Sequence, residues 1–411
     1  MTGLLLTAGA TASGTITNVD GVRLLLSDGR EAVDLSGIGH VLSIGHGLGE
    51  LRDRIIADVS ASLIPGSGRI ARFESSERLA ATVAEQWGDP YARSYFAPSG
   101  TDAVELAIQL ALHIQTARGR SDRTTVLGMH DSYHGMSVAA TSVAGHRSHR
   151  ARLARVLIPW PKLPSFSEPT DVWNSAEIED LFRSAAAVVF EPVGGTTSGA
   201  LAPPDGILAM VTELAKRHGC LVIVDEVVTG FGRTGTEFVT APGTADILVS
   251  GKWLGGGYVA LCAVMLSSPL ATEVNDQELP LRFTFANMSV ACAVAGAVQD
   301  VVAERRLVSG AHRTGIALRT QISQEVSRRG LDAEVRGVGM LLAVEISVDN
   351  VETRMARLRS NAQKRNVVAM LGSRTTPSGA GKVHVMCTPP LDINDSEIDT
   401  IAATIVDLVN D

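Results

Sequence analysis

Five lysines are spread along the 411 residues, and one stands apart. Lys162, Lys216, Lys364 and Lys382 lie beside polar or turn residues, where a lysine is ordinarily a solvated surface charge. Lys252 ends the apolar segment ADILVSGK and opens WLGGGYVALCAV, which is glycine-rich and nearly free of charge. An ammonium in such company is costly unless it has a partner or has given up its charge. Forming an imine with an aldehyde cofactor does both. Asp225 follows the five apolar residues CLVIV, where a strand reaches its carboxyl edge. A carboxylate there either caps the loop or holds a proton on the ring nitrogen of a pyridine cofactor, whose protonated ring is an electron sink. If the strand persists, Asp225 and Glu226 point in opposite directions.

Gly100 and Thr101, in APSGTDAVELA, stand where a strand turns into a helix. The free N–H groups and positive dipole end of a helix start bind phosphate, although Ser-Gly-Thr also serves as plain capping. Tyr133, in SYHG, is one of four tyrosines and lies in a loop after a strand, where it stacks on a flat ring or packs as an ordinary core residue.

The elements that hold these residues follow from the patterning. Asp20-Gly21 and Asp28-Gly29 separate short alternating segments, a hairpin signal. From about residue 46 to 290 strands alternate with helices. The strands are SYFAPSG (ending in a turn), TTVLGMH, AAAVVFEPV, CLVIVDE and ADILVSGK; the helices are ERLAATVAEQW after Ser75-Ser76, TDAVELAIQLALHIQTARG from Thr101, and DGILAMVTELAKRHG ending at Gly219. That order predicts an α/β fold with a mostly parallel sheet flanked by helices and ligands at the carboxyl ends of the strands. Residues 291–411 mix helices with the strands MLLAVEIS and KVHVMC. With residues 1–45 they are expected to form a smaller α+β domain beside a large domain of residues 46–290.

Composition narrows the class. The formal net charge of −8 argues against nucleic-acid or anionic-membrane partners. Cys220, Cys262, Cys292 and Cys387 are scattered without metal-ligand spacing, as expected of buried thiols in a reducing compartment, and no metal site is expected. The start, MTGLLLTAGATASG, lacks a positive n-region and is a poor signal peptide. No apolar stretch of membrane-spanning length is present. The expectation is a soluble, cytoplasmic protein.

Taken in order, DLSGIGHVLSIGH, SGTDAVELA, YHG, FEPVGG, CLVIVDEVVTGFGRTG, ADILVSGKWLGGG, FTFANMSVACA, RGVGMLLAVEI and TPPLDINDSEID resemble the class III aminotransferases across nearly the whole chain. These are pyridoxal 5'-phosphate (PLP) enzymes of fold type I, a group including ornithine and 4-aminobutyrate aminotransferases and glutamate-1-semialdehyde aminomutase. The resemblance implies that Lys252 holds PLP as a Schiff base and shuttles the proton, and that Asp225 pairs with the pyridinium nitrogen. It implies that Val227 and Tyr133 sandwich the ring, that Gly100 and Thr101 hold the phosphate, and that Glu191 is an acid close to the ring. Thr284 resembles the threonine that reaches the phosphate of the neighbouring subunit's cofactor, so a homodimer is implied. The partners implied are a small-molecule amino donor and a keto acceptor.

Two positions depart from the family. Where its amino-acid enzymes read RLAPPL, with an arginine that grips a carboxylate, this chain reads HVMCTPPL and Met386 takes the place. Where a glutamate often gates that arginine, Thr196 stands in EPVGGTTSG. The paired loss is self-consistent, because either charge alone would be expensive to bury. Arg72 or Arg282 is the alternative carboxylate partner. The expected function is a PLP-dependent aminotransferase for a specialised biosynthetic substrate, with an aminomutase or racemase on the same scaffold as the alternative. His40, Trp253 and the loop around Arg72 are expected against the substrate. Met288, where proline is common, is expected to alter the local loop and not the chemistry.

Overall fold

The computed structural model describes residues 14–45, 49–61, 64–275, 279 and 281–410. The N-terminal run read against a signal peptide, and His46 at the expected domain boundary, lie outside the described residues.

Seven strands form the main sheet. Their order is Arg93–Ala97, Cys262–Leu266, Ile247–Ser250, Leu221–Glu226, Ala185–Phe190, Thr125–Met129 and Lys162–Leu163. The last five are mutually parallel, and only Cys262–Leu266 runs against its neighbours. Every residue of Ala185–Phe190, Leu221–Glu226, Ile247–Ser250 and Cys262–Leu266 is buried. A sheet covered on both faces demands such unbroken apolar runs rather than alternation. Helix Gly100–Ala117 lays Ala103, Val104, Ala107, Leu110, Ala111 and Ile114 into one of those faces.

The helix ends follow local chemistry with two small shifts from expectation. The helix expected from Thr101 starts at Gly100, because Ser99 takes the cap and accepts from the Asp102 N–H. The helix expected after Ser75-Ser76 begins at Glu74. Both serines spend their hydroxyls on carbonyls, of Ser289 and Phe73, instead of capping. Gly219 ends Ile207–His218 in the left-handed conformation that favours glycine.

Two four-stranded sheets complete the fold. Ile16–Asp20, Arg23–Leu26 and Glu31–Asp34 form a meander, extended in parallel by Val367–Val368 from far along the chain. Ala333–Val338, Leu341–Val348, Gly381–Cys387 and Leu371–Thr375 form an antiparallel sheet in that order. Helices Leu307–Arg328, Val351–Lys364 and Asp395–Asn410 share one core with it. Helix Ser289–Glu304 serves two cores: Cys292 and Ala295 join that of the main sheet, and Ala297, Val298, Val301 and Val302 join the other.

All four cysteines are buried and unpaired. No described helix is long and apolar enough to cross a membrane. Among the described residues no cluster of three or more His, Cys, Asp or Glu is arranged to hold a metal. Lys162 corrects one expectation. It is not a solvated charge: its Nζ donates to the carbonyls of Ser142 at 2.6 Å and Trp160 at 2.9 Å, and burial pushes its pKa down to about 7.

Candidate active site

Strands Ile247–Ser250, Leu221–Glu226, Ala185–Phe190 and Thr125–Met129 run the same way, so the segments leaving their carboxyl ends gather on one edge of the sheet. Lys252 lies just past the first of these. Gly251 passes so close to Cys262 that a Cβ on it would meet the Cys262 Sγ at 2.2 Å. Lys252 then takes a left-handed conformation, φ 44°, and opens the single 3-10 turn Lys252–Leu254. A left-handed lysine is strained by about 1–3 kcal/mol and persists only where its surroundings enforce it.

Those surroundings are specific. The Trp253 indole N–H donates to the Val228 carbonyl at 2.8 Å, and Gln299 Nε2 donates to the carbonyls of Trp253 and Leu254 at 3.1 and 3.0 Å. The Arg233 guanidinium lies 3.7 Å over the Trp253 ring and donates to the carbonyls of Leu42, Met340 and Pro389. Burial pushes the Arg233 pKa down to about 9, which leaves it charged at neutral pH. Trp253 is fully buried in this brace and is therefore support for the lysine turn, not the substrate contact expected. The Lys252 amine takes part in no hydrogen bond among the described residues. Burial lowers its pKa, opposed by the negative charges of Asp225 and Glu191.

Asp225 and Glu226 do diverge. Glu226 turns inward and accepts from the Thr229 hydroxyl and the N–H groups of Val239 and Thr240. Asp225 faces the site: Oδ2 accepts from His134 Nδ1 at 2.8 Å and Oδ1 from the Val227 N–H at 3.0 Å. His134 is buried, and its other ring nitrogen has no hydrogen-bond partner among the described residues. Glu191 accepts from the Tyr133 N–H at 2.9 Å and the Gly195 N–H at 3.1 Å. Burial pushes its carboxyl up to about 7, with His134 opposing and Asp225 reinforcing the shift.

The helix start at Gly100 abuts both segments. A Cβ on Gly100 would sit 3.3 Å from Val227 Cγ1. The glycine of the YHG loop, Gly135, has φ 121° and lies so near Thr101 that a Cβ would come within 2.6 Å of its Oγ1. The Met136 N–H donates to that same hydroxyl. The Tyr133 ring meets His146 and His149 edge-on, at 6.4 and 5.9 Å, and these two imidazoles stack 3.8 Å apart. Burial pushes His146 down to about 4.

Lys252, Asp225, Glu191, Tyr133, Val227, Gly100 and Thr101 are thus brought to one locality. Thr284 is exposed in a turn and shares no hydrogen bond with them among the described residues. His134 is the member that the motif reading passed over, although it stands beside Tyr133 in YHG.

Met386 is fully buried in an apolar cluster with Val193, Ala200, Leu341 and Ala343. Arg72 projects into solvent with its guanidinium 3.5 Å from Glu77, and Arg282 is likewise exposed. Two other arginines lie close by but are committed: Arg336 and Arg374 each make paired hydrogen bonds to Glu345. His40 is buried between Thr388 and Thr196. Met288 caps helix Ser289–Glu304 with φ −59°, a value proline also adopts.

The family model for class-III aminotransferases matches residues 8–409. The uncharacterized aminotransferase YodT of Bacillus subtilis is 26% identical over 402 residues, covering 91% of this chain and 89% of its own. A transaminase from the marine bacterium Virgibacillus superposes with a TM-score of 0.85 at 25% identity, over 97% of this chain and 93% of its own. The omega transaminase of Pseudomonas jessenii, solved in complex with PMP, superposes with a TM-score of 0.82 at 22% identity, over 97% and 92%. Class-III aminotransferases are PLP-dependent transaminases of fold type I, moving an amino group from a donor to a keto or aldehyde acceptor. A match that runs from residue 8 to residue 409 leaves almost nothing of the sequence outside it, and the chain belongs to the class-III aminotransferases.

Proposed function

We propose that Lys252 and Asp225 operate PLP in this chain, and that the amino donor is a specialised amine or amino-bearing intermediate rather than an α-amino acid held by an arginine. The observation that carries the reading is the Lys252 turn: a half-buried primary amine that makes no hydrogen bond among the described residues, held in a strained conformation beside the Asp225 carboxylate.

The residues fit the cofactor. A bare amine stands ready for its aldehyde, a buried carboxylate for its ring nitrogen, and the N–H groups of a helix start for its phosphate. When bound, PLP supplies the aldehyde that captures the amine and a protonated ring that takes up the electron pair released at the substrate carbon. Burial disfavours the charged form of Lys252, so its Nζ is able to take the proton from the amine-bearing carbon and return it in the reverse half. Asp225, oriented by His134 and the Val227 N–H, would hold a proton at the ring nitrogen. Tyr133 and Val227 would hold the ring. Glu191, pushed up to about 7, avoids placing a second full negative charge beside Asp225.

The substrate reading rests on charge. The position expected to hold an arginine is Met386 in an apolar cluster, and Arg336 and Arg374 are each paired with Glu345. The surface supports a homodimer: Ile64, Ile70 and Phe285 are exposed, and their segments are tied together where the Gly68 N–H donates to the Ala286 carbonyl. Thr284 lies in that area and would reach a neighbouring site. A net charge of −8 and buried unpaired thiols accord with a cytoplasmic location.

The test is the visible spectrum of the purified protein reconstituted with PLP, with amines and amino acids added one at a time. Bleaching of the cofactor band by an amine lacking a carboxylate, reversed by a keto acceptor, is the expected result. A band that no donor bleaches durably would shift the reading to an aminomutase or racemase.

A further inference from the structure

His40 closes a run of left-handed residues, Gly37 to His40, with φ values of 53, 35, 76 and 68°. That turn drives its ring inward, where it is 3% exposed. Nδ1 meets the Thr388 hydroxyl and Nε2 lies 2.9 Å from Thr196 Oγ1. Thr388 Oγ1 is also 3.0 Å from the carbonyl of Ser36. A carbonyl only accepts, so the single hydrogen of Thr388 is committed there, and Thr388 must accept from His40 Nδ1–H.

Burial, reinforced by the positive charges of Lys252 and Arg233, holds His40 well below its ordinary pKa. The ring is neutral and carries one hydrogen, already placed on Nδ1. Nε2 is then a bare acceptor, and the Thr196 hydroxyl donates to it. Thr196 is left with lone pairs and no free hydrogen.

Thr196 cannot easily turn away. His384 Nε2 donates to its carbonyl at 2.6 Å. Arg336 donates to the carbonyls of Ser198 and Gly199, at 2.8 and 2.7 Å. Within residues 191–200 Thr196 alone is partly accessible. It follows Gly195, whose N–H holds Glu191, and its partner His40 feels the Lys252 charge.

We propose that Thr196 is a specificity-determining residue: its hydroxyl, oriented by His40 and Thr388, accepts a hydrogen bond from a hydroxyl or ammonium group on the amino donor and turns away a carboxylate. The inference rests on the aminotransferase reading above and names the chemistry of the donor's far end. A hydroxyl without a spare hydrogen offers a carboxylate only repulsion between lone pairs, whereas a donor-bearing substrate finds a fixed partner.

The test uses the PLP-loaded enzyme and three primary amines of equal length that end in methyl, hydroxymethyl or carboxylate. The expected order of kcat/KM is hydroxymethyl, methyl, carboxylate. Thr196→Val is expected to lower the hydroxymethyl donor by about tenfold or more while sparing the methyl donor, and Thr196→Ser to keep the order. The second readout needs no turnover. In imidazole ¹⁵N NMR, with His40 identified by the signal lost in His40→Gln, the ring should be neutral with its hydrogen on Nδ1. A hydrogen on Nε2, a carboxylate preference, or an equal loss for all three donors in Thr196→Val would overturn the inference. Inertness of the wild type toward all three overturns the substrate reading and this inference with it. An equal response to all three overturns this inference alone.

Discussion

Glu191 and Glu345 are both almost wholly buried, at 5% and 2% exposed, yet they meet opposite fates. Burial raises both. Glu191, past the end of a main-sheet strand, has two backbone N–H partners and no cation in contact, and it rises to about 7. Glu345, in the middle of Leu341–Val348, has Arg374 and Arg336 hydrogen-bonded and His384 3.6 Å away. These partners overcome burial and hold it well below the usual carboxylate range. Desolvation alone therefore does not say what a buried acid is for. The one without a cation is poised near neutral pH beside Lys252; the one between two arginines is a brace.

The largest effect belongs to the catalytic edge. Lys252→Ala should reduce the rate of amino transfer by roughly 10²- to 10⁴-fold with the circular dichroism of the folded protein retained. A variant that keeps a tenth of the rate would remove Lys252 from the proton transfer.

Next comes the brace. Glu345→Gln leaves Arg336 and Arg374 uncompensated in the interior and should destabilise the protein by about 3–5 kcal/mol in urea unfolding. In the wild type the folded pKa of Glu345 lies below its ordinary value of 4.5. Its contribution is thus complete above that value and fades as pH falls through the folded one, so the variant should show a flatter acid limb. A loss below about 1 kcal/mol would mean that the two arginines find other partners.

The smallest effect is a slope. Glu191 has a folded pKa of about 7 against an ordinary 4.5. Between those values the folded state binds more protons than the unfolded, so stability falls as pH rises across that window. Glu191→Gln should remove that decline, measured as unfolding midpoints at pH 5, 6, 7 and 8. An unchanged slope would assign the titration elsewhere.

Much of this arrangement is legible in one dimension. Asp225 and Lys252 end continuous apolar runs, and a run buried on both faces can end only at a sheet edge. Gly100 and Thr101 are legible because the helix start and the preceding strand are contiguous. What escapes is whatever depends on distant pairing. His134 joins Asp225 across 91 positions, and His40 joins Thr196 across 156. The groups around Glu345 come from three strands other than its own, and no local window holds them. Trp253 misleads for another reason: in a tight left-handed turn the neighbour of a reactive residue faces away from the reaction. Lys162, between two prolines, reads as an exposed turn, but an edge strand folds its amine back over chain carbonyls.

The clamp at Arg233 has a consequence for the order in which the protein matures. Its guanidinium ties together carbonyls from positions 42, 340 and 389 while lying on the indole next to Lys252. A nascent chain carries Lys252 out of the ribosome long before Pro389 follows. The brace around the lysine turn is therefore not complete until position 389 has been made, well after the lysine itself.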